Sequence, residues 1–303
     1  MKVTGFTYVR NGLTYGYPFL ASIKSILPVV DEHIVVVGDS QDGTREAIVA
    51  LDSPKVRIID TQWDMQLREG GKIFAQQSNL GLDQITEGWA FHLQADEVLH
   101  ENDLPALRDH LTYFADRPDV EGLLFPFYHF WGDYHYIRRT RRTHPFEIRA
   151  FKTGLGIRSY RDSQGFRKYP SVAAYDAGEK GTKLKVVEID VPIYHYSYVR
   201  DPQLMRKKGN FFHRFWHADQ WLKQHAASEQ DFDYNDVDLL ERFEGSHPAV
   251  MADTIRQKNW DFTYDPSRST MSLKDRLLHQ IEQATGKRLF AYRNYERIAR
   301  RHR

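Results

Sequence analysis

The chain has 303 residues, of which 41% are hydrophobic and 27% are charged, enough to build one substantial core or two smaller ones. The net charge is +1, so no overall electrostatic field points to nucleic acid as a partner. The absence of cysteine excludes disulfides and thiolate metal sites. No apolar run approaches the ~20 residues that span a bilayer, and no signal peptide is recognisable, so we expect a cytoplasmic protein.

The first hundred residues alternate between short apolar runs and amphipathic patterns. Strands are predicted at 2–9, 33–38, 56–60 and 89–93, and helices at 17–30, 45–52 and 71–83. This alternation predicts an α/β fold with an open, mostly parallel sheet flanked by helices. Ligands of such sheets bind beyond the carboxyl ends of the strands, where Asp39 and Asp96 are found.

The character of the sequence changes after about residue 105. A helix is predicted at 104–115, an aromatic-rich extended segment at 123–137, and strands at 146–151 and 191–199. Beyond residue 202 the pattern is mainly helical, with predicted helices at 204–223, 248–258 and 273–284. An acidic stretch at 229–238 is predicted to be a loop between them.

Two acidic motifs follow predicted strands. Asp39 could accept hydrogen bonds from a base or a ribose, or it could only belong to a turn before a helix. Asp96, in the segment Gln94-Ala95-Asp96-Glu97, suits Mg²⁺ or Mn²⁺, which prefer carboxylates and keep ligand phosphates in their coordination shell. The alternative for Asp96 is a turn followed by a helix N-terminus, where acidic residues are favourable.

Four segments in this order resemble a family 2 glycosyltransferase with a GT-A fold. They are VRNG at 9–12, VDEHIVVVGDSQDGT at 30–44, GGKIFAQQSNLGLD at 70–83 and GWAFHLQADEVL at 88–99. The resemblance implies a catalytic domain over 1–200, with a nucleotide-sugar-binding half at 1–105 and an acceptor half at 106–200. Residues 201–303 would form a helical C-terminal extension. The match fades beyond residue 105.

The resemblance also implies roles for individual residues. Those expected at the nucleotide are Val9, Asn11, Asp39, Lys72, Gln94 and Ala95, and those expected at a Mn²⁺ or Mg²⁺ ion are Asp96 and His195. The family's metal motif has two acids flanking one residue, and Gln94 replaces the first of them here. Glu97 is a candidate for the missing ligand, although the next side chain of an extended segment points the other way. His195 could instead be a hydrogen-bonded core histidine.

The second half supplies candidates for acceptor binding and catalysis. Trp131 is predicted at an exposed loop tip, as a platform for a sugar, although aromatic side chains in this region could simply pack in the core. Arg138 and Arg139 belong to an RRTRR run that suits phosphate oxygens, unless it is a solvated face. Asp162 is the expected catalytic base. Glu147 is the second choice, because an ion pair with Arg149 or with another arginine would explain it more simply.

The expected activity is transfer of a sugar, with inversion, from a UDP- or GDP-type donor to a glycan or other cell-surface acceptor. One alternative is a pseudoenzyme that binds nucleotide sugars without turnover, motivated by Gln94. Another is a nucleotidyltransferase, although VRNGLTYGYP at 9–18 does not resemble that class's Gly- and Lys-rich loop. The basic stretch at 286–303 could contact the inner face of an anionic membrane, or it could be an exposed terminus.

Overall fold

The computed structural model describes residues 1–163, 165–217, 221 and 230–299. Its centre is a large sheet whose first strands are β1 (Val3–Val9), β2 (Glu32–Val37), β3 (Val56–Asp60) and β4 (Trp89–His92). They lie side by side in the order β3-β2-β1-β4, and every neighbouring pair is parallel. The four predicted strands and the parallel sheet are therefore confirmed.

Helices cover both faces of these strands. They are α1 (Phe19–Ile26), α2 (Thr44–Val49) and α3 (Lys72–Leu82). Alternate residues of β2 point to opposite faces, so Val35 packs in the cluster that contains Phe19 of α1, whereas Val36 packs in the cluster that contains Leu82 of α3. An all-parallel arrangement buried on both faces explains why β2 reads as a continuous apolar run.

The chain order reverses between β1 and β4. The polypeptide moves outward from β1 to β3 and then returns to place β4 on the other side of β1. In open α/β sheets this reversal opens a crevice beyond the carboxyl ends of the two strands. Val9, at the end of β1, and Gln94, which follows β4, border this crevice.

The middle of the chain extends the sheet with antiparallel and parallel strands. Its elements are β5 (Glu97–Leu99), α4 (Leu104–Ala115), β6 (Gly122–Trp131), β7 (Asp133–Ile137), β8 (Phe146–Lys152), β9 (Ile157–Tyr160), β10 (Gly165–Lys168), α5 (Val172–Asp176), β11 (Thr182–Glu188) and β12 (Ile193–Tyr198). The predicted extended segments at 123–137, 146–151 and 191–199 are confirmed by β6 to β8 and β12. The strands β9, β10 and β11 were not predicted.

The later part of the chain contains α6 (Pro202–Phe212), β13 (Glu241–Arg242), α7 (Ala252–Arg256), α8 (Leu273–Thr285) and β14 (Tyr295–Arg297). The helix predicted at 204–223 ends as α6 at Phe212 and continues as a 3-10 turn, and residues 218–220 and 222–223 lie outside the described part. Strand β14 pairs in parallel with β11. The last described segment thus returns to the sheet, and the division of the chain at residue 200 stays a prediction.

Strand β12 connects the strand-end crevice to the middle of the molecule. It pairs with β5 on one side and with β6 on the other, so that His195 lies opposite both Glu97 and His129. The backbone N–H of Tyr196 donates to the carbonyl of Asp96 at 2.8 Å. This pairing brings residues about a hundred positions apart to one place. Among the described residues, no helix combines the length and the apolarity needed to cross a membrane.

Candidate active site

A cavity of about 310 Å³ lies beyond the carboxyl ends of β1 and β4, and we call it the strand-end cavity. It is lined by Tyr8, Val9, Arg10, Tyr15, Tyr17, Trp63, Phe74, Gln94, Ala95, Asp96, Asp162, His195, Ser197, Lys208, Phe211, Phe212 and Trp216. Six of the residues selected from the sequence are among them, namely Val9, Gln94, Ala95, Asp96, Asp162 and His195. These six residues thus meet at one cavity, and the other residues of its wall were not predicted.

Asp96 is the most buried acid of the strand-end cavity, with 7% of its surface exposed. Its Oδ1 lies 3.7 Å from Nε2 of His195, and its Oδ2 lies 3.8 Å from Nζ of Lys208. Burial acts to raise the pKa of Asp96, but His195, Lys208, Arg200 and a hydrogen bond from Ser197 together lower it. Asp96 is therefore a carboxylate at neutral pH, and Lys208, with Nζ 3.8 Å away, is its ion-pair partner among the lysines and arginines of the described residues.

A chain of hydrogen bonds sets the tautomer of His195. Nε2 of His129 lies 2.7 Å from the carbonyl oxygen of His144, which can only accept, so this nitrogen carries the proton. Nδ1 of His129 then accepts from Nδ1 of His195 at 2.8 Å. Burial lowers the pKa of His195 to about 4 and that of His129 to about 3, so both rings are neutral at pH 7. Nε2 of His195 consequently presents a lone pair toward Asp96.

A lone pair facing a carboxylate at 3.7 Å suits a shared divalent cation, because neutral imidazole and carboxylate are both good ligands for Mn²⁺. Within the described residues, no group of three His, Cys, Asp or Glu side chains is arranged to hold a metal ion. Two protein ligands are nevertheless enough for Mg²⁺ or Mn²⁺ when phosphates and waters complete the shell. The residues present fit such an ion together with a diphosphate.

Asp39 lies just outside the strand-end cavity, at the end of β2. Its carboxylate accepts two hydrogen bonds from Arg10, at 2.8 and 3.0 Å, and one from the backbone N–H of Trp63 at 3.2 Å. Desolvation acts to raise the pKa of Asp39, but these hydrogen bonds lower it. The Arg10 guanidinium also lies 5.5 Å from the ring centre of Trp63 and 5.8 Å from that of Phe211. The result is a polar group beside aromatic surfaces, suited to a flat base.

The other two residues predicted at the nucleotide have different surroundings. Asn11 has a left-handed backbone (φ 51°) and joins two loops, because its N–H donates to Oγ of Ser40 and its Oδ1 accepts from Gln41 N–H. Lys72 is exposed at the start of α3. Neither side chain lines the strand-end cavity. Asn11 shapes the loop after β1, and a role for Lys72 stays a prediction.

An aromatic wall closes the strand-end cavity on the side of α6. Tyr15 stacks on Phe211 with 5.1 Å between ring centres, and Phe74 stacks on Phe212 at 5.4 Å. Lys208, one turn earlier in α6, donates from Nζ to Oγ of Ser197 at 2.8 Å. The sequence carries a signal for this wall, since FFHRFW at 211–216 has more aromatic residues than one buried helical face needs.

A second cavity, of about 660 Å³, adjoins the first, and we call it the arginine cavity. Gln94, Asp162 and His195 line both cavities, so they mark the junction. Asp162 stands between two residues with left-handed backbones, Arg161 (φ 56°) and Ser163 (φ 66°), and its Cβ lies against Gly71. The predicted base is therefore at the point where the two cavities meet.

Glu147 lines the arginine cavity and differs from its expected state. The ion pair predicted between Glu147 and Arg149 is wrong, because Arg149 makes a bidentate pair with Glu97 at 2.6 and 2.7 Å. The Oε2 atom of Glu147 is buried, and no hydrogen bond reaches it from the described residues. Burial raises the pKa of Glu147 to about 8. This side chain is thus a neutral acid at pH 7.

Because Glu97 forms the bidentate pair with Arg149, its carboxylate is not available as a metal ligand. Glu97 is 1% exposed, and both of its oxygens bind Arg149 on β8. One of them also accepts from the backbone N–H of Gln94 at 3.1 Å. The carboxylate therefore points away from Asp96, as the alternation of an extended segment requires.

The aromatic and basic residues selected for the acceptor lie away from both cavities. Trp131 is 5% exposed, not at an exposed loop tip as predicted, since its ring stacks on Tyr198 at 4.3 Å and its Nε1 donates to the carbonyl of Tyr234. Arg138 pairs with Asp238 at 2.7 Å. Arg139 is exposed and lies 3.9 Å from Glu241. Their environment is that of structural contacts on the β7 side of the sheet.

The sequence matches no protein-family model and no curated protein. Among similar solved structures is S. aureus TarS, at 14% identity and a TM-score of 0.40 over 70% of this chain; the match spans only 39% of the TarS chain. A second is the mannosyltransferase PcManGT from Pyrobaculum calidifontis in complex with GDP-Man and Mn²⁺, at 18% identity and a TM-score of 0.41 over 69% of this chain and 61% of that one. A third is TarS 1–349 in complex with UDP, at 12% identity and a TM-score of 0.38 over 75% of this chain and 70% of that one.

Proposed function

We propose that this protein is a glycosyltransferase that uses a nucleotide-diphosphate sugar. The observation that carries the proposal is the strand-end cavity itself. Beyond the reversal between β1 and β4, it combines a buried carboxylate, Asp96, with a histidine lone pair and the ammonium group of Lys208. A diphosphate needs positive charge, which Lys208 and a cation held by Asp96 and His195 would supply. The aromatic wall beside them suits a nucleobase.

Each group of residues has a separate task. Asp39, with Arg10 beside it, accepts a hydrogen bond from the base, for which a carboxylate held by three bonds still has a free lone pair. Asp96 and His195 would hold Mn²⁺ or Mg²⁺. A bound divalent cation stabilises the charge that develops on the leaving diphosphate. Burial, helped by the charge of Arg200, lowers the pKa of Lys208 to about 7, so a bound diphosphate would favour its protonated form and gain a positive charge within the strand-end cavity.

The transfer step needs a base at the acceptor hydroxyl. The hydroxyl oxygen forms a bond to the anomeric carbon as the bond from that carbon to the diphosphate oxygen breaks. The nucleoside diphosphate leaves with the electron pair, and the hydroxyl proton passes to a carboxylate. Asp162 is the base in this proposal because it lines both cavities at their junction. Attack opposite the leaving group inverts the anomeric carbon.

Glu147 is the second candidate for the base, and one observation favours it. Its buried Oε2 lies in the arginine cavity and has no hydrogen-bond partner among the described residues. With a pKa of about 8, only the ionised fraction of Glu147 could accept the proton at pH 7, and this fraction grows as the pH rises. Separate Asp162→Asn and Glu147→Gln variants distinguish the two. The base is the residue whose replacement abolishes transfer while nucleotide affinity stays near the wild-type value.

The first test is a thermal-shift screen of UDP, GDP, CDP and ADP, with and without Mn²⁺. The proposal expects one nucleoside diphosphate to raise Tm, and Mn²⁺ to increase that shift. Asp96→Asn should remove the Mn²⁺-dependent part and leave the fold intact. The structurally matched control is Asp60→Asn, at the exposed end of β3. No stabilisation by any of the four would contradict the proposal.

Turnover distinguishes an enzyme from a pseudoenzyme that binds the nucleotide sugar without reaction. The second possibility is motivated by Gln94, which replaces the first acid of the metal motif. The nucleotide selected in the screen is tested as its sugar conjugates, and release of nucleoside diphosphate is measured with and without candidate acceptors. A transferase releases it faster when an acceptor is present. Binding without release from any conjugate supports the pseudoenzyme.

A cytoplasmic location and contact with an anionic membrane surface belong to the same proposal. The basic stretch at 286–303 includes Phe290, which is 91% exposed, whereas residues 300–303 lie outside the described part. Co-sedimentation with anionic vesicles but not with zwitterionic vesicles is expected. Equal recovery with both kinds of vesicle would contradict a membrane role.

A further inference from the structure

The arginine cavity contains more positive than negative charge. Six arginines line it, namely Arg141, Arg142, Arg149, Arg288, Arg293 and Arg297, whereas its carboxylates are Glu97, Glu147, Asp162 and Glu282. The chain as a whole has a net charge of only +1. The excess is therefore a local feature of this cavity.

Some of these arginines are neutralised by acids. Arg149 pairs with Glu97, and Arg297 pairs with Glu188 at 2.6 Å. The strongly basic part of the wall lies elsewhere and is made by two segments. One is the turn before β8, which carries Arg141 and Arg142, and the other is the segment between α8 and β14.

A single carboxylate serves two arginines in this part of the wall. Glu282 lies 2.7 Å from Nε of Arg288 and 3.6 Å from Nη1 of Arg141. Arg142 reaches only the carbonyl of Thr270, at 3.5 Å, and has no carboxylate partner among the described residues. Arg293 likewise has none within the described part of the chain. Within the described part of the chain, one carboxylate thus faces four arginines, of which two share it and two have none.

The remaining groups of the cavity do not cancel this charge. Glu147 is neutral at pH 7, because burial raises its pKa to about 8, and it can donate a hydrogen bond to an oxygen of a ligand. Phe290 and Tyr292 line the same cavity with largely exposed rings, which suit the apolar face of a sugar. Guanidinium forks and aromatic rings together match an acidic carbohydrate.

We propose that the arginine cavity binds an acceptor glycan that carries phosphate or carboxylate groups, and that it holds this glycan next to the nucleotide sugar. This inference rests on the proposed function and names its acceptor class. Arg142 and Arg293 are the principal anion-binding residues. No acid depends on them in the described structure, so replacing them leaves the fold intact.

The test measures binding by titration calorimetry to the full chain. The probes are phosphorylated mannotetraose, tetragalacturonate and neutral mannotetraose, each at low and at high salt. We expect both acidic probes to bind at least about tenfold more tightly than the neutral one, and to weaken as salt increases. A preference for one acidic probe tells whether phosphate or carboxylate is the natural group.

The double variant Arg142→Ala/Arg293→Ala should weaken binding of the acidic probes by about tenfold or more, because each lost contact is a charge-assisted hydrogen bond. The matched control is Arg242→Ala/Arg256→Ala, which removes two exposed arginines outside the cavity. The control should bind within about twofold of wild type. If both double variants lose the same affinity for the acidic probes, the loss comes from the change in net charge, and the proposal is overturned.

Nucleotide binding by the same proteins distinguishes the two proposals. If the wild type binds a nucleoside diphosphate yet does not prefer acidic over neutral probes, the acceptor inference fails alone. If it binds acidic probes but no nucleoside diphosphate, the proposed function fails, and the arginine cavity remains an anion site of another kind. The double variant should bind the nucleoside diphosphate as the wild type does.

Discussion

Nδ1 of His129 and Nδ1 of His195 lie 2.8 Å apart, and only one of them carries the proton between them. The carbonyl of His144 decides which, because it accepts a hydrogen bond from Nε2–H of His129 and so leaves Nδ1 of His129 without a proton. His195 is thereby fixed with its lone pair toward Asp96. Histidines that bind metal ions are commonly oriented by such a partner.

We predict that His129→Ala weakens Mn²⁺ binding by about 10–100-fold, because His195 is then free to rotate and to change tautomer. The affinity is measured by titrating Mn²⁺ into the protein with saturating nucleoside diphosphate. The control is His247→Ala, another hydrogen-bonded histidine, which lies outside both cavities. If both variants bind Mn²⁺ equally well, the tautomer of His195 has no role in metal binding.

Asp39→Asn should weaken binding of the nucleoside diphosphate by about 10–100-fold. This is the equivalent of ~1.5–3 kcal/mol for a hydrogen bond to a charged group. The loss should be the same with and without Mn²⁺, because the proposed contact of Asp39 is to the base and not to the phosphates. Calorimetric titration of wild type and variant measures both cases. Asp60→Asn, at the neighbouring strand end, should bind like the wild type. A loss confined to the Mn²⁺ condition would place Asp39 at the phosphates instead.

Glu147→Gln should stabilise the protein at alkaline pH even where it lowers activity. The pKa of Glu147 is about 8 in the folded chain against an ordinary value of 4.5. As the pH rises from 4.5 to 8, the unfolded chain loses this proton first, so the wild type becomes less stable. The Tm of the variant should therefore match that of wild type near pH 4.5 and exceed it by several degrees above pH 8. A constant difference across this range would show that Glu147 has an ordinary pKa.

Arg149→Met should reduce the free energy of unfolding by about 3–5 kcal/mol, because it leaves the carboxylate of Glu97 buried without a compensating positive charge. Adding Glu97→Gln should recover much of this loss, since the buried charge is then removed. Urea unfolding monitored by circular dichroism measures both variants. Arg45→Met breaks an exposed pair with Asp60 and should change stability little. Similar losses for Arg45→Met and Arg149→Met would contradict the special position of the buried pair.

The first half of the fold was predictable because its signals are local. Continuous apolar runs are typical of parallel strands covered on both faces, and acids directly after them mark strand ends. Asp96 could be selected in this way from a strand end, whereas the role of His195 was implied by the resemblance to GT-A enzymes. Their convergence depends on the pairing of β12 with β5, which periodicity does not reveal.

The contacts that were not predicted join residues that lie far apart in the sequence. Glu147 and Arg149 share one face of β8, so their proximity suggested an ion pair, but Glu97 on another strand has the better geometry. Trp131 is covered by Tyr198 and Tyr234, and the sequence around Trp131 does not predict these contacts. Lys208 reaches Asp96 because α6 docks across the cavity, and helical periodicity does not predict docking.

The pairing of β14 with β11 has a consequence for the order in which this protein matures on the ribosome. The strand-end cavity is complete once the chain has been made to Trp216, whereas the wall of the arginine cavity waits for residues up to Arg297. Roughly 80 residues separate the two, which at about 5–20 residues per second is a delay on the order of 4–16 s. During this interval a nascent chain has all the residues of the strand-end cavity but lacks part of the wall of the arginine cavity.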